Sequence, residues 1–311
     1  MGTEKWAFQS ASSPLAPTAA TAAPRVVVIG AGMAGLVAAR LLHDSGFAVT
    51  VIEARNRLGG RTWTDNSLGA PIDLGGSWIH GADHNPLTAW CRQLGIELAI
   101  TSDEARYWFE GKLVMERNAV WRRAWRGRLV ADLALAGAVR YQRLLRRVGR
   151  RVNLSLADVI EPVLHSRWLP VLDRRVLASI VSTSEGVQGA PAAYIDIEDW
   201  FPSEAHGVNA IPCGGYRQLI DDAAAGLSIR LATPVQTLAY GEEGVRAVTP
   251  HETLHADFAV VTAPLGVLQA GKLRFTPPLP PHKEAAMQRI GYGGQGVLGK
   301  IIMRFPRRFW P

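Results

Sequence analysis

Residues 26–29 form an uninterrupted apolar run, Val-Val-Val-Ile, and residues 48–52 form a second, broken only by Thr50. Short runs of this kind suit strands covered on both faces in a parallel sheet. Between them, residues 36–42 carry apolar side chains at helical spacing, so this part of the chain predicts strand, helix, strand. Over residues 99–199 the pattern becomes mainly helical. Within it, Trp121, Trp125, Leu129, Leu133, Leu135, Val139, Tyr141, Leu144, Leu145 and Val148 include recurrent spacings of three and four, which predicts one or two amphipathic helices over 117–151. Short β-rich runs return from Gly207 to Ala263, among them 228–232 and 258–261, and are expected to pair back onto the first sheet. The last stretch has a proline-rich segment at 275–281, a short helix and a predicted strand at 297–305.

The turn between the first strand and its helix places glycine at Gly30, Gly32 and Gly35, a G-x-G-x-x-G spacing, and the second strand ends at Glu53, 23 residues after Gly30. Gly30 permits the tight turn, Gly32 lets a pyrophosphate approach the backbone, and Gly35 lets helix and strand pack closely. The helix N-terminus offers unpaired N–H groups and a partial positive charge to the phosphates. Glu53 can accept both ribose hydroxyls and repels a 2′-phosphate, so NADP is disfavoured. Glycine-rich turns also serve ordinary packing. Strand, helix, strand and acid in this order are what point to a dinucleotide.

Composition adds bounds. The 311 residues are 48% apolar, enough to bury a substantial core in one large or two modest domains. No apolar run approaches the ~20 residues that span a bilayer, so no membrane span is expected. Residues 1–24 are rich in Ala, Ser, Thr and Pro without a secretory signal's basic start and apolar block, and read as a flexible tail. Cytoplasmic residence is the default expectation. Cys91 and Cys213 lie far apart with no C-x-x-C, so they predict neither metal site nor disulfide and read as small buried side chains. The net charge of +7 is concentrated in residues 117–151, where eleven arginines face one acid, Asp132, leaving the rest of the chain net acidic. A basic helical face suits nucleic acid, anionic lipid or an acidic protein. Nothing here alternates basic and aromatic residues on a strand platform. The block reads as the solvated outer face of a helix, and no nucleic-acid partner is expected.

Gly59-Gly60-Arg61 and Asp73-Leu74-Gly75-Gly76-Ser77-Trp78-Ile79-His80-Gly81 follow the nucleotide unit, and four later segments continue the series. These are Ile211-Pro212-Cys213-Gly214-Gly215-Tyr216-Arg217-Gln218-Leu219, Thr233-Pro234-Val235, Val261-Thr262-Ala263-Pro264-Leu265-Gly266-Val267-Leu268 and Gly299-Lys300-Ile301-Ile302-Met303-Arg304-Phe305. Their order resembles the flavin-containing amine oxidase family, which includes polyamine oxidases, monoamine oxidases and flavin-dependent histone demethylases. The resemblance runs from about Arg25 to the last residue. It implies an α/β fold in which a Rossmann-like FAD-binding domain is interleaved with an α+β substrate domain. The implied division is a tail at 1–24, FAD segments at 25–98 and 207–264, a helical insertion at 99–206 and a substrate-domain segment at 265–311.

The same resemblance implies roles for single residues. Gly30, Gly32, Ala34 and Gly35 would surround the FAD pyrophosphate, Glu53 would bind the ribose, and Arg61 would fork onto a phosphate oxygen. The Val235 backbone would meet adenine on a strand, and Gly75, Gly76, Ser77 and Trp78 would line the isoalloxazine. Lys300 matches the lysine that holds a water near flavin N5 in these oxidases, and a buried lysine shifts its pKa readily. His80 falls where related polyamine oxidases place a histidine or carboxylate at the substrate amine, and could relay its proton. Glu185, on a looser match, stands for a pocket carboxylate facing a cationic substrate. Trp63 and Trp90 read as core.

The implied reaction oxidises a C–N bond of a primary or secondary amine, polyamine or monoamine, by hydride transfer to flavin N5, with imine hydrolysis and reduction of O2 to H2O2. The alternatives are another flavin oxidoreductase, such as an L-amino acid oxidase or a desaturase-like protein, or a non-catalytic remnant that binds nucleotide weakly. Family members normally continue past the lysine strand to a final FAD-domain segment, whereas this chain stops at Phe309-Trp310-Pro311. The sequence therefore reads as a fragment, a truncated gene product or half of a split enzyme, the last of which would have a complementing C-terminal fragment as partner.

Overall fold

The computed structural model describes residues 22–101, 106–109, 113–150, 152–198, 207–292 and 299–309. The chain begins with β1 (Arg25–Ile29), α1 (Met33–Asp44), β2 (Ala48–Ile52), β3 (Thr64–Asp65), β4 (Ile72–Asp73), α2 (Pro86–Gln93) and β5 (Leu98–Thr101). Its middle forms β6 (Arg106–Phe109), β7 (Leu113–Glu116), α3 (Arg117–Arg123), α4 (Trp125–Arg147), α5 (Leu156–Leu164) and α6 (Val171–Gln188), then a 3-10 turn at Ala192–Tyr194. The remainder is β8 (Asn209–Pro212), α7 (Arg217–Ala224), β9 (Ser228–Arg230), β10 (Thr237–Gly241), β11 (Gly244–Val248), β12 (Thr253–Ala256), β13 (Phe258–Val261), α8 (Leu265–Gln269), β14 (Arg274–Thr276) and α9 (Pro281–Arg289). Two compact units result. One gathers the described residues up to Ile100, those from Val208 to Tyr292 and those from Lys300 onward; the other lies between Thr101 and Gly207.

The first unit is built on a parallel sheet in the order β13-β1-β2-β9. Because side chains alternate along a strand, the apolar run of β1 serves two cores. Val26 and Val28 join Leu36 and Ala39 of α1, Trp90 of α2, and Leu219 and Ile220 of α7 on one face. Val27 and Ile29 meet Leu238, Ala247, Ala256 and Leu273 on the other. That second layer is a separate sheet, β12-β11-β10-β14, in which only β14 runs parallel to its neighbour. The two runs named as rejoining the first sheet do so, as β9 and β13, whereas β10, β11 and β12 form this second sheet. A two-residue connection between Gly241 and Gly244 closes β10 and β11 as an antiparallel hairpin, whereas entry into the parallel sheet requires a crossover.

Two further expectations change near the C-terminus. Residues 265–292 and 300–309, which the resemblance assigns to a substrate domain, cluster with the parallel-sheet unit, since β14 pairs with β10. The predicted strand at 297–305 is not formed by its described part, 299–305; residues 297 and 298 lie outside the described residues. Ile301 is 87% exposed and, among the described residues, no neighbouring strand gives this segment a ladder.

In the second unit, the helices expected over 117–151 are α3 and α4, interrupted at Ala124. α4 buries Ala131, Leu135 and Val139 against α5 and α6 and turns Leu129, Leu133 and Leu144 outward among its arginines. The β6–β7 hairpin was not legible in the mainly helical pattern. Buried Gln142 is fully used: Oε1 accepts the Leu154 N–H at 2.7 Å, and Nε2 donates to Asp196 and Glu198 at 3.3 Å each.

Candidate active site

The βα turn shows what each glycine is for. Gly30 has φ of +110°, and behind it Thr262 Oγ1 donates to the carbonyls of Ile29 and Gly30 at 3.1 and 3.2 Å. A Cβ on Gly35 would overlap the Gly30 carbonyl oxygen, so helix and strand can pack this closely only without one. Gly32 differs: the nearest atoms to a Cβ there are 3.9 Å away, the Gly59 oxygen and the Gly60 Cα. Its backbone stands open to approach. The first intrahelical bond runs from Leu36 N–H to Gly32 O at 2.9 Å, which leaves the N–H groups of Met33, Ala34 and Gly35 ahead of it without intrahelical partners.

Glu53 is 8% exposed at the end of β2. Its Oε2 accepts the Ala31 N–H at 2.8 Å and its Oε1 the Arg55 N–H at 2.9 Å, and each oxygen keeps a second lone pair for a hydroxyl donor. The Thr233 N–H donates to Glu53 O at 2.9 Å, which lays residues 233–235 beside this acid. They form no strand, against expectation; Pro234 has no N–H to give a ladder. Val235 buries its side chain in the second core, while its backbone N–H and C=O bond to nothing among the described residues.

The Gly59–Gly60 turn sits against the same helix terminus, with Gly59 N–H donating to Ala31 O at 2.9 Å. Arg57 braces it by donating to the Leu58 and Gly60 carbonyls at 3.1 and 3.0 Å while stacking over Trp63 at 4.6 Å. Trp63 is thus a half-exposed stacking partner and not the core residue expected, whereas Trp90 is buried and donates to Asp222 at 2.9 Å. The Arg61 side chain is exposed, with no ion pair or hydrogen bond among the described residues.

Residues 73–78 are held from several directions. Leu74 N–H donates to Trp63 O at 2.8 Å and Gly76 N–H to Arg61 O at 3.1 Å, so the segment continues the β3–β4 ribbon. A Cβ at Gly75 would overlap the Arg61 carbonyl oxygen. The Lys300 ammonium gives its three protons to Asp73 O at 2.9 Å, Gly75 O at 2.7 Å and Ser77 Oγ at 3.1 Å. Lys300 is exposed, which corrects the expectation of a buried lysine.

Asp73 is buried, and its carboxylate accepts the Thr64 hydroxyl and, at 3.2 Å to each oxygen, the Tyr216 N–H. The Tyr216 hydroxyl donates to Trp78 O at 3.0 Å. Burial, with Cys91 and Asp73 adding to it, pushes that hydroxyl up to about 12, so it remains a donor at neutral pH. Trp78 is half exposed and meets His80 edge-on, with ring centroids 5.9 Å apart. His80 Nδ1 lies 3.0 Å from Asn209 Oδ1, an acceptor, so Nδ1 carries the proton and Nε2 of the neutral ring is an acceptor.

The first unit thus gathers every expected cofactor residue together with Lys300 and His80. Glu185 is elsewhere, on α6 of the helical unit, where it accepts the Ala192 N–H at 2.8 Å and caps the 3-10 turn. Cys91 is buried, but Cys213 is exposed in its glycine turn, against the expectation for both. Arg57, Asp73, Tyr216 and Thr262 were not singled out from the sequence as site residues. The signal for two of them was a carboxylate two residues before one Gly-Gly pair and a tyrosine directly after another. Among the described residues no cluster of His, Cys, Asp or Glu could hold a metal ion, and no helix is long and apolar enough to cross a membrane.

These residues fit FAD: an open glycine at a helix N-terminus for the pyrophosphate, a buried acceptor-only side chain for the ribose, and free backbone groups beside it for adenine. The family profile described as flavin containing amine oxidoreductase matches residues 33–311. The chain is 34% identical to polyamine oxidase 2 of Arabidopsis thaliana over 94% of its own length and 60% of that protein's. Polyamine oxidase 4 of Oryza sativa subsp. japonica is 35% identical, at 93% and 60% coverage. Lysine-specific histone demethylase 1 homolog 2 of Arabidopsis thaliana is 36% identical, at 92% and 38%. The chain spans at most about 60% of the length of these relatives. A glycine-lined nucleotide turn on a parallel sheet and a profile match over nearly all of the described residues lead to one conclusion: this chain belongs to the FAD-binding flavin-containing amine oxidoreductase family.

Proposed function

We propose that this chain carries the FAD site and part of the active site of an amine oxidase, one that oxidises a C–N bond of a primary or secondary amine with O2 as the final acceptor. The observation that carries the reading is the convergence, in one unit, of the α1 N-terminus, Glu53, the Val235 backbone and the Lys300-braced segment 73–78. Bound FAD would supply the hydride acceptor.

The chain's own residues would do the rest. The free N–H groups ahead of Leu36, with the exposed Arg61 guanidinium, would offset the pyrophosphate charge. Glu53 would turn its remaining lone pairs to the ribose. Ser77 and Trp78 would face the ring from a ribbon that Lys300 keeps in place. An ammonium donates hydride poorly because its nitrogen lone pair is occupied. His80 Nε2, an acceptor while Nδ1 is tied to Asn209, would take that proton and leave the neutral amine.

Relatives named polyamine oxidase at 34% and 35% identity support a polyamine as substrate; a relative named histone demethylase supports a methylated lysine side chain as the second candidate. The test is anaerobic mixing of the FAD-loaded chain with spermine, with a monoamine and with a methyl-lysine peptide. Bleaching of the flavin band by spermine at the lowest concentration is the expected result. Bleaching by the peptide alone would replace the polyamine reading, and an unbleached flavin with all three would remove the oxidase reading.

A further inference from the structure

We infer that Tyr216 is a positioning residue for the ring-facing turn of the cofactor site, acting as a strut between the two ends of residues 73–78. This deepens the FAD reading and rests on it. The backbone N–H of Tyr216 is fixed at one end, on the buried Asp73 carboxylate, and its hydroxyl at the other, on the Trp78 carbonyl. A single residue, through its backbone at one end and its side chain at the other, therefore links the first and last residues of the segment. Between these points the chain is already constrained. Leu74 and Gly76 turn their N–H groups to the ribbon partner, and Asp73, Gly75 and Ser77 turn acceptors to Lys300. The Trp78 carbonyl lies between the last ribbon bond, at Gly76, and the Ile79–Ala210 bridge. Beyond it, Ile79 N–H donates to Ala210 O at 2.8 Å and His80 is tied to Asn209.

The strut is stiff. Tyr216 is 5% exposed and packs in the core with Cys91, Leu219 and Ile220, and Asp73 is held in turn by the Thr64 hydroxyl. Its ring cannot swing without opening that core, so the hydroxyl reaches the Trp78 carbonyl from a fixed point. Loss of the hydroxyl would leave the core intact and release only the carbonyl, and with it the angle at which Ser77 and Trp78 meet the ring. Nothing in this role requires Tyr216 to touch cofactor or substrate.

Tyr216→Phe separates this role from a merely structural one, because it keeps the ring and removes the hydroxyl. The first readout is hydrogen exchange of the cofactor-free chain. Amides of residues 74–79 should exchange about tenfold faster, the factor that loss of one hydrogen bond gives locally, with α1 and α4 unchanged. The second readout is the visible circular dichroism of bound FAD at saturation, which reports the orientation of the ring and should change in the variant. Flavin reduction by amine should slow about tenfold with the amine KM unchanged.

If Tyr216→Phe does not accumulate, 3-fluorotyrosine at this position serves instead. Its more acidic hydroxyl loses its proton at lower pH, so faster exchange at 74–79 should appear as an alkaline step at lower pH than any in the parent chain. Unchanged exchange at 74–79 overturns the strut. Faster exchange with an unaltered flavin spectrum overturns the positioning role. Failure of the unsubstituted chain to take up FAD overturns the FAD reading instead, and exchange alone then judges whether the strut exists.

Discussion

The two ends of the proposed cofactor cleft are built by different means. At the adenosine end the backbone does the work: Gly30, Gly32 and Gly35 are spaced along one turn, the α1 amides precede their first intrahelical bond, and Val235 offers its own N–H and C=O. At the ring end side chains hold the backbone in place, with Lys300 and Tyr216 reaching residues 73–78 from more than 130 positions away in the chain. A backbone-built site is coded locally and is recognisable from spacing. A side-chain-built site is coded by partners that only the folded chain brings together.

The largest expected effect comes from splitting the glycines of the adenosine end. Gly35→Ala forces a methyl group into the Gly30 carbonyl and should destabilise the cofactor-free chain by about 3 kcal/mol, the upper part of the overpacking range. Gly32→Ala would bring its Cβ only into ordinary van der Waals contact, with the Gly59 oxygen and Gly60 Cα at 3.9 Å, and should leave apo stability within about 0.5 kcal/mol while weakening FAD binding. Thermal unfolding with and without FAD checks both. Equal apo stabilities would erase the distinction between a packing glycine and a ligand-facing one.

At the ring end, Lys300→Met removes all three donors from Asp73, Gly75 and Ser77 and, by letting the ring-facing segment shift, should slow flavin reduction about a hundredfold, with FAD still bound. Stopped-flow reduction under anaerobic conditions measures it, and an unchanged rate would take Lys300 out of the site. Next in size, Glu53→Gln should weaken FAD by about 1–3 kcal/mol, seen as a raised Kd. The carboxylate would lose charge at the ribose, and its amide would present a donor to Ala31 or Arg55 where only an acceptor fits.

The smallest effect is alkaline. The Tyr216 hydroxyl is raised from its ordinary value near 10 to about 12, so its stabilising contribution is complete below pH 10 and is lost as pH rises through 12. Tyr216→Phe should therefore flatten the stability profile between those limits, as read from denaturant midpoints at successive pH values. A parallel profile for the two proteins would contradict the shift.

How much of this was legible in the sequence follows the same division. β2 and β13 fall where the apolar runs predict them, and β1 begins one residue earlier, because a strand covered on both faces needs no partner's sequence to be recognised. The nucleotide turn was legible for the same reason. The separate sheet of β10–β12 was not legible, since a β run shows its pleat but not its neighbour. The 299–305 segment has a strand's composition without a strand's ladder. Tyr216 and Asp73 stood beside recognised glycines, yet their bond to each other joins residues 143 positions apart, and no periodicity reports that.

The most direct test of the cofactor cleft is calorimetric titration of the folded chain with FAD, alongside the Gly32→Ala and Glu53→Gln variants. The account predicts saturable uptake of one FAD per chain, weakened in both variants. A folded chain that takes up no FAD, or binds it equally well in all three proteins, would contradict it.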